Sequence, residues 1–212
     1  MGQSGGNALR RFLDVIGALL GLVLASPLLT LAALAIKLED RGPVLYRQRR
    51  VGLHGEEFEL VKLRTMKVGA EWEGAGFAVN RGDPRITRVG QALRRLSLDE
   101  LPQLWNVLHG EMSLVGPRPT LAYQVEQYTP RQRRRLEVKP GLTGWAQVHG
   151  RARLPWDERI ELDLWYLEHR SPWLDLKILA RTPAALVSGT YKGETGGWRE
   201  PSGSGGGPDA NG

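Results

Sequence analysis

The strongest pattern along the chain is a long absence of charge. Residues 15–36 contain no Asp, Glu, Lys or Arg. As a straight helix such a run covers about 33 Å, against a bilayer hydrocarbon core of about 30 Å. It exceeds the apolar core of a signal peptide and is long for a buried core helix. Residues 9–40 therefore read as a membrane anchor, behind a short polar leader over residues 1–8. Ser26 and Pro27 fall near the middle of the run. A proline there removes a backbone hydrogen bond and clashes with the preceding turn, so the helix kinks or breaks. Both flanks are basic, with Arg10 and Arg11 before the run and Lys37, Arg41, Arg47, Arg49 and Arg50 after it. Basic flanks favour the cytoplasmic side. Two geometries answer to these facts: a proline-kinked span, and a re-entrant hairpin that enters and leaves by one face.

Beyond the anchor the periodicity changes. Residues 45–66 read as strands and turns, and Phe58-Glu59-Leu60-Val61-Lys62-Leu63 alternates as a half-buried strand does. Residues 72–84 carry glycine without periodicity and read as a loop. Residues 89–96 predict a helix with Arg94 and Arg95 on its exposed side. Ser97 and Glu100 have capping-box spacing, but Pro102 conflicts with a helix capped at Ser97. With Asp99 as the N-cap, Pro102 falls in the first turn, where its missing N–H costs nothing. That places Asp99 and Glu100 at a helix N-terminus, where the dipole attracts anions. Residues 111–115 suit a short strand, residues 121–136 a helix interrupted near Pro130, and residues 139–145 a loop. Residues 156–169 and 172–188 are amphipathic helices. The second carries Trp173, Leu174, Leu176, Ile178, Leu179 and Leu186, a face for either a core or a bilayer surface. Residues 193–212, rich in Gly, Ser and Pro, read as a disordered tail. The class is α+β, with a catalytic-sized mixed domain over residues 41–192.

Composition narrows the partners. The 212 residues suit one domain with an appended membrane element. A net charge of +6 points to phosphates, nucleic acid or an acidic membrane face. The chain has no cysteine, which excludes disulfides, thiolate zinc sites and cysteine nucleophiles. His54, His109, His149 and His169 lack metal-ligand spacing, against a histidine-bound zinc. Met1-Gly2 starts like a myristoylation site, but position 6 is Gly rather than Ser or Thr. There is no Walker motif or Gly-rich phosphate fingerprint.

Candidate chemistry centres on Asp99 and Glu100. A carboxylate can attack an activated phosphorus, and an adjacent acid can hold a metal or move a proton. Mg²⁺ would neutralise diphosphate charge through one or two carboxylates. Arginine grips phosphate oxygens in a bidentate fork. Arg94 and Arg95 precede the acids, and Arg118 follows between two prolines, in Gly116-Pro117-Arg118-Pro119. The plainer readings are a helix cap for the acids, a solvated or headgroup-facing surface for Arg131, Arg133, Arg134 and Arg135, and ordinary surface charge for Lys62 and Arg64. A non-enzymatic, membrane-anchored basic module binding anionic lipid or nucleic acid is the alternative function. It leaves the acids among the arginines unexplained, and no nucleic-acid-binding motif is present.

Taken in order, the motifs resemble a family. They are Arg10-Arg11-Phe12-Leu13-Asp14, Ser26-Pro27, Gly42-Pro43-Val44, Gln48-Arg49-Arg50-Val51-Gly52 and Lys62-Leu63-Arg64-Thr65-Met66. Asp83-Pro84-Arg85-Ile86-Thr87-Arg88-Val89-Gly90, Leu93-Arg94-Arg95 and the acidic pair follow. Then come Ser113-Leu114-Val115-Gly116-Pro117-Arg118-Pro119, Lys139-Pro140-Gly141-Leu142-Thr143-Gly144-Trp145 and Gly150-Arg151. The set resembles the monotopic phosphoglycosyl transferases, bacterial sugar transferases that act on polyprenyl phosphate, over residues 9–187. The resemblance implies transfer of a sugar 1-phosphate from a nucleoside diphosphate sugar, with uridine expected, to polyprenyl (undecaprenyl) phosphate. It implies Asp99 as nucleophile and Glu100 as its partner, with Mg²⁺ as cofactor at Asp99 and Glu100. Lys62, Arg64, Arg94, Arg118 and Arg151 are the implied phosphate-binding cations. It also implies the re-entrant anchor, broken at Ser26-Pro27, on the cytoplasmic face of the bacterial inner membrane, and the minimal catalytic form of the family. Membrane lipid is an expected partner, nucleic acid is not, and a homodimer is left open. Residues 72–82 match nothing in the pattern.

Overall fold

The computed structural model describes residues 3–70, 83–150 and 154–187. Its first element, α1 (Gln3–Asp40), is 38 residues long and contains Pro27. The expected break does not unwind it: helix continues through Ser26 and Pro27. Pro27 has no N–H to give the Val23 carbonyl, and the Ser26 hydroxyl donates to that carbonyl instead, at 2.8 Å. Thr30 Oγ1 donates to Ser26 O at 2.9 Å in the next turn. Side-chain hydroxyls of this kind let an apolar helix carry a proline.

One face of α1 is docked and the rest is bare. Asp14, Ala18, Ala32 and Ile36 are buried, whereas Leu20, Val23, Leu24, Leu31 and Leu38 are exposed. Only 11% of its most apolar window is buried, and the helix is long and apolar enough to cross a membrane. That much bare apolar surface makes α1 a membrane-associating element. Both of its ends are fastened to the globular part. Near the start, Arg11 donates to the Val107 and Leu108 carbonyls, and Asp14 accepts from the Ser113 hydroxyl and the Leu114 N–H. Near the finish, Glu39 accepts from the N–H groups of Arg88 and Val89, and Asp40 pairs with Arg64.

Strands β1 (Leu45–Val51) and β2 (Glu57–Leu63) form an antiparallel hairpin, with Leu45 opposite Leu63 and Val51 opposite Glu57. Helix α2 (Arg88–Arg95) follows, capped by the Thr87 side chain. A 3₁₀ turn, Leu98–Glu100, then leads into α3 (Gln103–His109). The second sheet pairs β3 (Ser113–Val115) with β4 (Gly141–Thr143), in parallel. A bridge from Val51 to Thr120 ties the hairpin to the segment after β3. Between the two short strands lie α4 (Ala122–Glu126) and α5 (Pro130–Arg133); Pro130 sits in the first turn of α5 behind the Thr129 cap. The described residues end in α6 (Trp145–His149), α7 (Trp156–His169) and α8 (Pro172–Val187).

Residues 139–145, expected as a loop, contain β4. Three residues that begin with a glycine and are followed by another give no alternation to read. Their placement rests on close backbone approach: a Cβ on Gly141 would stand 2.0 Å from the Gly116 nitrogen. Only glycine fits there. Helix α8 divides the face expected of it, with Leu174 and Ile178 in the core and Trp173 and Leu176 exposed. The core is split among small clusters. Ala18 of α1 packs with Leu60, Leu104, Val107 and Met112, while Ala32 and Ile36 pack with Leu63 and Leu93.

Candidate active site

The acidic pair lies where α2 hands over to α3. Ser97, buried and at φ 57°, reverses the chain in the left-handed region that non-glycine residues seldom adopt. Asp99 is not the N-cap expected from Pro102. It sits inside the 3₁₀ turn, where the Leu101 N–H bonds to Leu98 O. That carbonyl is therefore already satisfied, and Pro102 loses nothing by lacking an N–H. The turn buries both carboxyls, leaving Asp99 4% exposed and Glu100 6%.

Cations converge on the pair from separate elements. Arg118, from the loop after β3, forks onto Glu100 with bonds of 2.6 and 3.3 Å. Its side chain is 50% exposed while that of Glu100 is buried, so the guanidinium has one edge on the acid and another open to solvent. Lys62 comes from β2 and Arg94 from α2, where Arg94 Nε donates to Thr65 Oγ1 at 2.9 Å. Burial pushes the Asp99 carboxyl up to about 6, with the Glu100 charge adding to the effect and Lys62, Arg94 and Arg118 opposing it. Burial likewise pushes the Lys62 ammonium down to about 8, against the attraction of Asp99. Asp99 Oδ1 is buried and has no hydrogen-bond partner among the described residues.

The structure sorts the expected residues. It brings together Asp99, Glu100, Lys62, Arg94 and Arg118. Arg64 is turned away: its guanidinium binds the Asp40 carboxylate at 2.9 Å and the Asp40 carbonyl at 2.8 Å, fixing the end of α1. Arg151 lies outside the described residues. Arg50 is the cation missed as a site residue. It donates to Gln48 Oε1 and to the Pro119 carbonyl, and burial beside Arg118 pushes it down to about 10. The signal was in β1, where Tyr46, Gln48 and Arg50 alternate with the outward Arg47 and Arg49. Those outward arginines pair with Glu59 and Glu57.

Among the described residues no group of three His, Asp or Glu side chains stands ready for a metal. The donor set suits Mg²⁺ all the same, since Mg²⁺ usually takes one or two carboxylates and completes its shell with water and substrate phosphate. Asp99 Oδ1 is an unengaged carboxylate oxygen in that position, with Glu100 beside it.

A family described as bacterial sugar transferase matches residues 6–189. The chain belongs to that family. Among curated relatives, the uncharacterized sugar transferase EpsL of Bacillus subtilis is 44% identical over 174 residues, 82% of this chain and 85% of that protein. The UDP-glucose:undecaprenyl-phosphate glucose-1-phosphate transferase of Caulobacter vibrioides is 49% identical over 187 residues, 84% of this chain and 70% of that protein. An Escherichia coli protein of the same description is 46% identical, and there the match spans 39% of the longer chain. This sugar transferase is thus an enzyme of the phosphoglycosyl transferase kind, and the reading as a non-enzymatic basic module falls away.

Proposed function

We propose that this transferase moves a sugar 1-phosphate from a UDP-sugar to undecaprenyl phosphate, through a covalent intermediate on Asp99. The observation that carries the proposal is the Asp99 carboxyl: buried, unengaged at Oδ1, and ringed by Lys62, Arg94 and Arg118. In its ionised form one Asp99 oxygen attacks the phosphorus that bears the sugar. The bond from that phosphorus to the oxygen bridging the two phosphates breaks, and UMP leaves. A phosphate oxygen of undecaprenyl phosphate then attacks the same phosphorus, the Asp99–phosphorus bond breaks, and the sugar leaves on undecaprenyl diphosphate. Splitting the transfer in this way makes the Asp99 carboxylate the nucleophile of the first step and the leaving group of the second. Arg118, Lys62, Arg94 and Arg50 grip phosphate oxygens, Arg118 through its open edge. Mg²⁺, held by Asp99 and Glu100, would supply neutralisation of the diphosphate charge. The substrate classes follow the names of the Caulobacter and Escherichia coli relatives.

The bare face of α1 supports placing the site at a membrane surface, where a polyprenyl chain resides. We further propose that α1 is re-entrant and that the domain faces the cytoplasm. Both ends of α1 are fastened to one globular body, and Val23 to Pro27 form a little-buried middle. Single cysteines at Ser4 and at Ser202, probed with an impermeant thiol reagent, should both be protected in intact cells and react after lysis. Labelling of the Ser4 position from outside would mean a span. For the reaction, detergent-solubilised protein with Mg²⁺, undecaprenyl phosphate and UDP-sugars tested one at a time should release UMP with one of them. A phosphosugar adduct on the peptide holding Asp99 should appear by mass spectrometry; an adduct on another residue would refute the assignment.

A further inference from the structure

The arginines at 131, 133, 134 and 135 do not share one fate. Arg131 and Arg134 lie on the surface, paired with Glu161 and Glu168. Arg135 turns inward, its side chain 5% exposed, and meets Asp163 of α7, whose side chain is 3% exposed. Arg135 Nε and Nη2 reach Asp163 Oδ2 at 2.9 and 2.6 Å. Arg135 Nη1 donates to the Tyr128 hydroxyl, and the guanidinium lies near the Tyr128 and Trp156 rings. The remaining bond runs to the proposed active-site loop: Arg135 Nη2 donates to the Arg118 carbonyl at 3.3 Å.

A buried ion pair is a poor device for stability alone, because desolvating two charges offsets much of their attraction. Its rigid, planar donors are better suited to fixing several acceptors at once. Here one of those acceptors is the backbone carbonyl of the residue that grips Glu100, and the carbonyls around it have donors of their own. Pro117 O accepts from Gly141 N, Arg118 O from Arg135, Pro119 O from Arg50, and Thr120 O from Val51 N. The Tyr128 hydroxyl, while accepting from Arg135, donates to Thr120 Oγ1 at 3.3 Å. Arg118 is thereby held at both ends, by Glu100 at its guanidinium and by Arg135 at its backbone.

We propose that Arg135 and Asp163 are positioning residues: with Tyr128 they set the backbone of the Gly116-Pro117-Arg118-Pro119 loop so that Arg118 stays on Glu100 with its open edge toward substrate phosphate. The inference rests on the phosphoryl-transfer reading of the site. Neither residue touches the reacting atoms. Both act through Arg118, and a double-mutant cycle detects that.

The test uses the full chain in detergent, with UDP-sugar and undecaprenyl phosphate, comparing wild type, Arg135→Lys, Arg118→Lys and the double variant. Lysine keeps the charge at 135 but cannot serve Asp163, Tyr128 and Arg118 together. Arg135→Lys should lower kcat about tenfold, as a misaligned reactive group does, with the UDP-sugar KM little changed. In the Arg118→Lys background the same substitution should have almost no further effect. If the two losses multiply, or if Arg135→Lys lowers Tm without changing kcat, the positioning role is wrong. Should Arg135→Lys fail to fold, Tyr128→Phe removes one hydroxyl and carries the same cycle, with a smaller loss that also vanishes beside Arg118→Lys. Asp99→Asn, run in parallel, separates the two readings. Continued UMP release by Asp99→Asn refutes the nucleophile. An inactive Asp99→Asn with multiplying losses at 118 and 135 refutes only the positioning role.

Discussion

Asp99 and Asp163 are two aspartates that burial treats alike. They are 4% and 2% exposed, and each has an Oδ1 without a hydrogen-bond partner among the described residues. In each, burial pushes the carboxyl pKa up while neighbouring arginines pull it back. They differ in what the second oxygen does. Asp163 Oδ2 is locked in the Arg135 fork. Asp99 forms no ion pair among the described residues and feels its cations only through space. One of those cations, Arg118, is half exposed, while Arg135, the partner of Asp163, is buried. An acid among arginines is therefore not in itself a reactive site. It becomes structural when the geometry closes the pair, and available for chemistry when the cations keep an edge toward solvent.

The largest effects should come from neutralising each acid in turn. Asp99→Asn should cut turnover by at least about 10³-fold, because an amide cannot attack phosphorus and residual binding cannot replace a nucleophile. It should leave stability unchanged or slightly raised, since it removes a desolvated charge that has no close partner. Asp163→Asn should do the reverse in stability, costing about 3–5 kcal/mol by leaving Arg135 buried and uncompensated. Urea unfolding with parallel UMP assays measures both. Equal destabilisation by the two variants would erase the distinction between the two aspartates.

The sequence carried one of these acids and hid the other. Asp99 was legible because Glu100, Arg94 and Arg118 frame it in ordered motifs, and the family match extends over residues 6–189. Asp163 sits in Glu161-Leu162-Asp163-Leu164, an ordinary amphipathic stretch, and its partner Arg135 sits among surface arginines. No local pattern says which arginine of such a run turns inward; the contact spans 28 residues and is set by how α7 packs. The long helices and the hairpin were readable for the same reason the pair was not, since their periodicity is local. Helix α6 and strand β4 are too short to show a period. At Ser26 and Pro27 the proline signal was real, but the hydroxyl bond to Val23 O that keeps the helix intact is a side-chain matter that propensity does not encode.

Next in size are changes to the cations. Arg118→Lys should lower kcat/KM about 100-fold, because an ammonium cannot serve Glu100 and a phosphate through one rigid fork. Replacing Arg133 and Arg134 together by Ala should leave turnover of soluble substrates intact and cost under about 1 kcal/mol, as exposed pairs such as Arg134–Glu168 contribute little. Its expected effect is weaker adsorption to anionic vesicles. Full activity in Arg118→Lys would move the site away from the loop and remove the meaning of its half-exposed edge.

The smallest effect is also the most diagnostic of an unlocked acid. With the Asp99 carboxyl raised to about 6 from 3.8, the folded protein binds more protons than the unfolded chain between those values. The Asp99 contribution to stability is thus present at low pH and lost as pH rises from about 4 to about 6. Lys62, lowered to about 8 from 10.5, works in the opposite sense at the other end, and stability should rise as pH climbs from about 8 through 10.5. Activity needs the ionised acid and the charged amine, so kcat/KM should describe a bell between about 6 and 8. The acid limb belongs to Asp99 and Glu100 as an interacting pair. Lys62→Arg keeps its charge at high pH and should extend the basic limb, while Asp99→Asn should flatten the stability slope between pH 4 and 6. If that slope survives in Asp99→Asn and disappears in Asp163→Asn, the titrating acid is the locked one, and the contrast between the two aspartates is inverted.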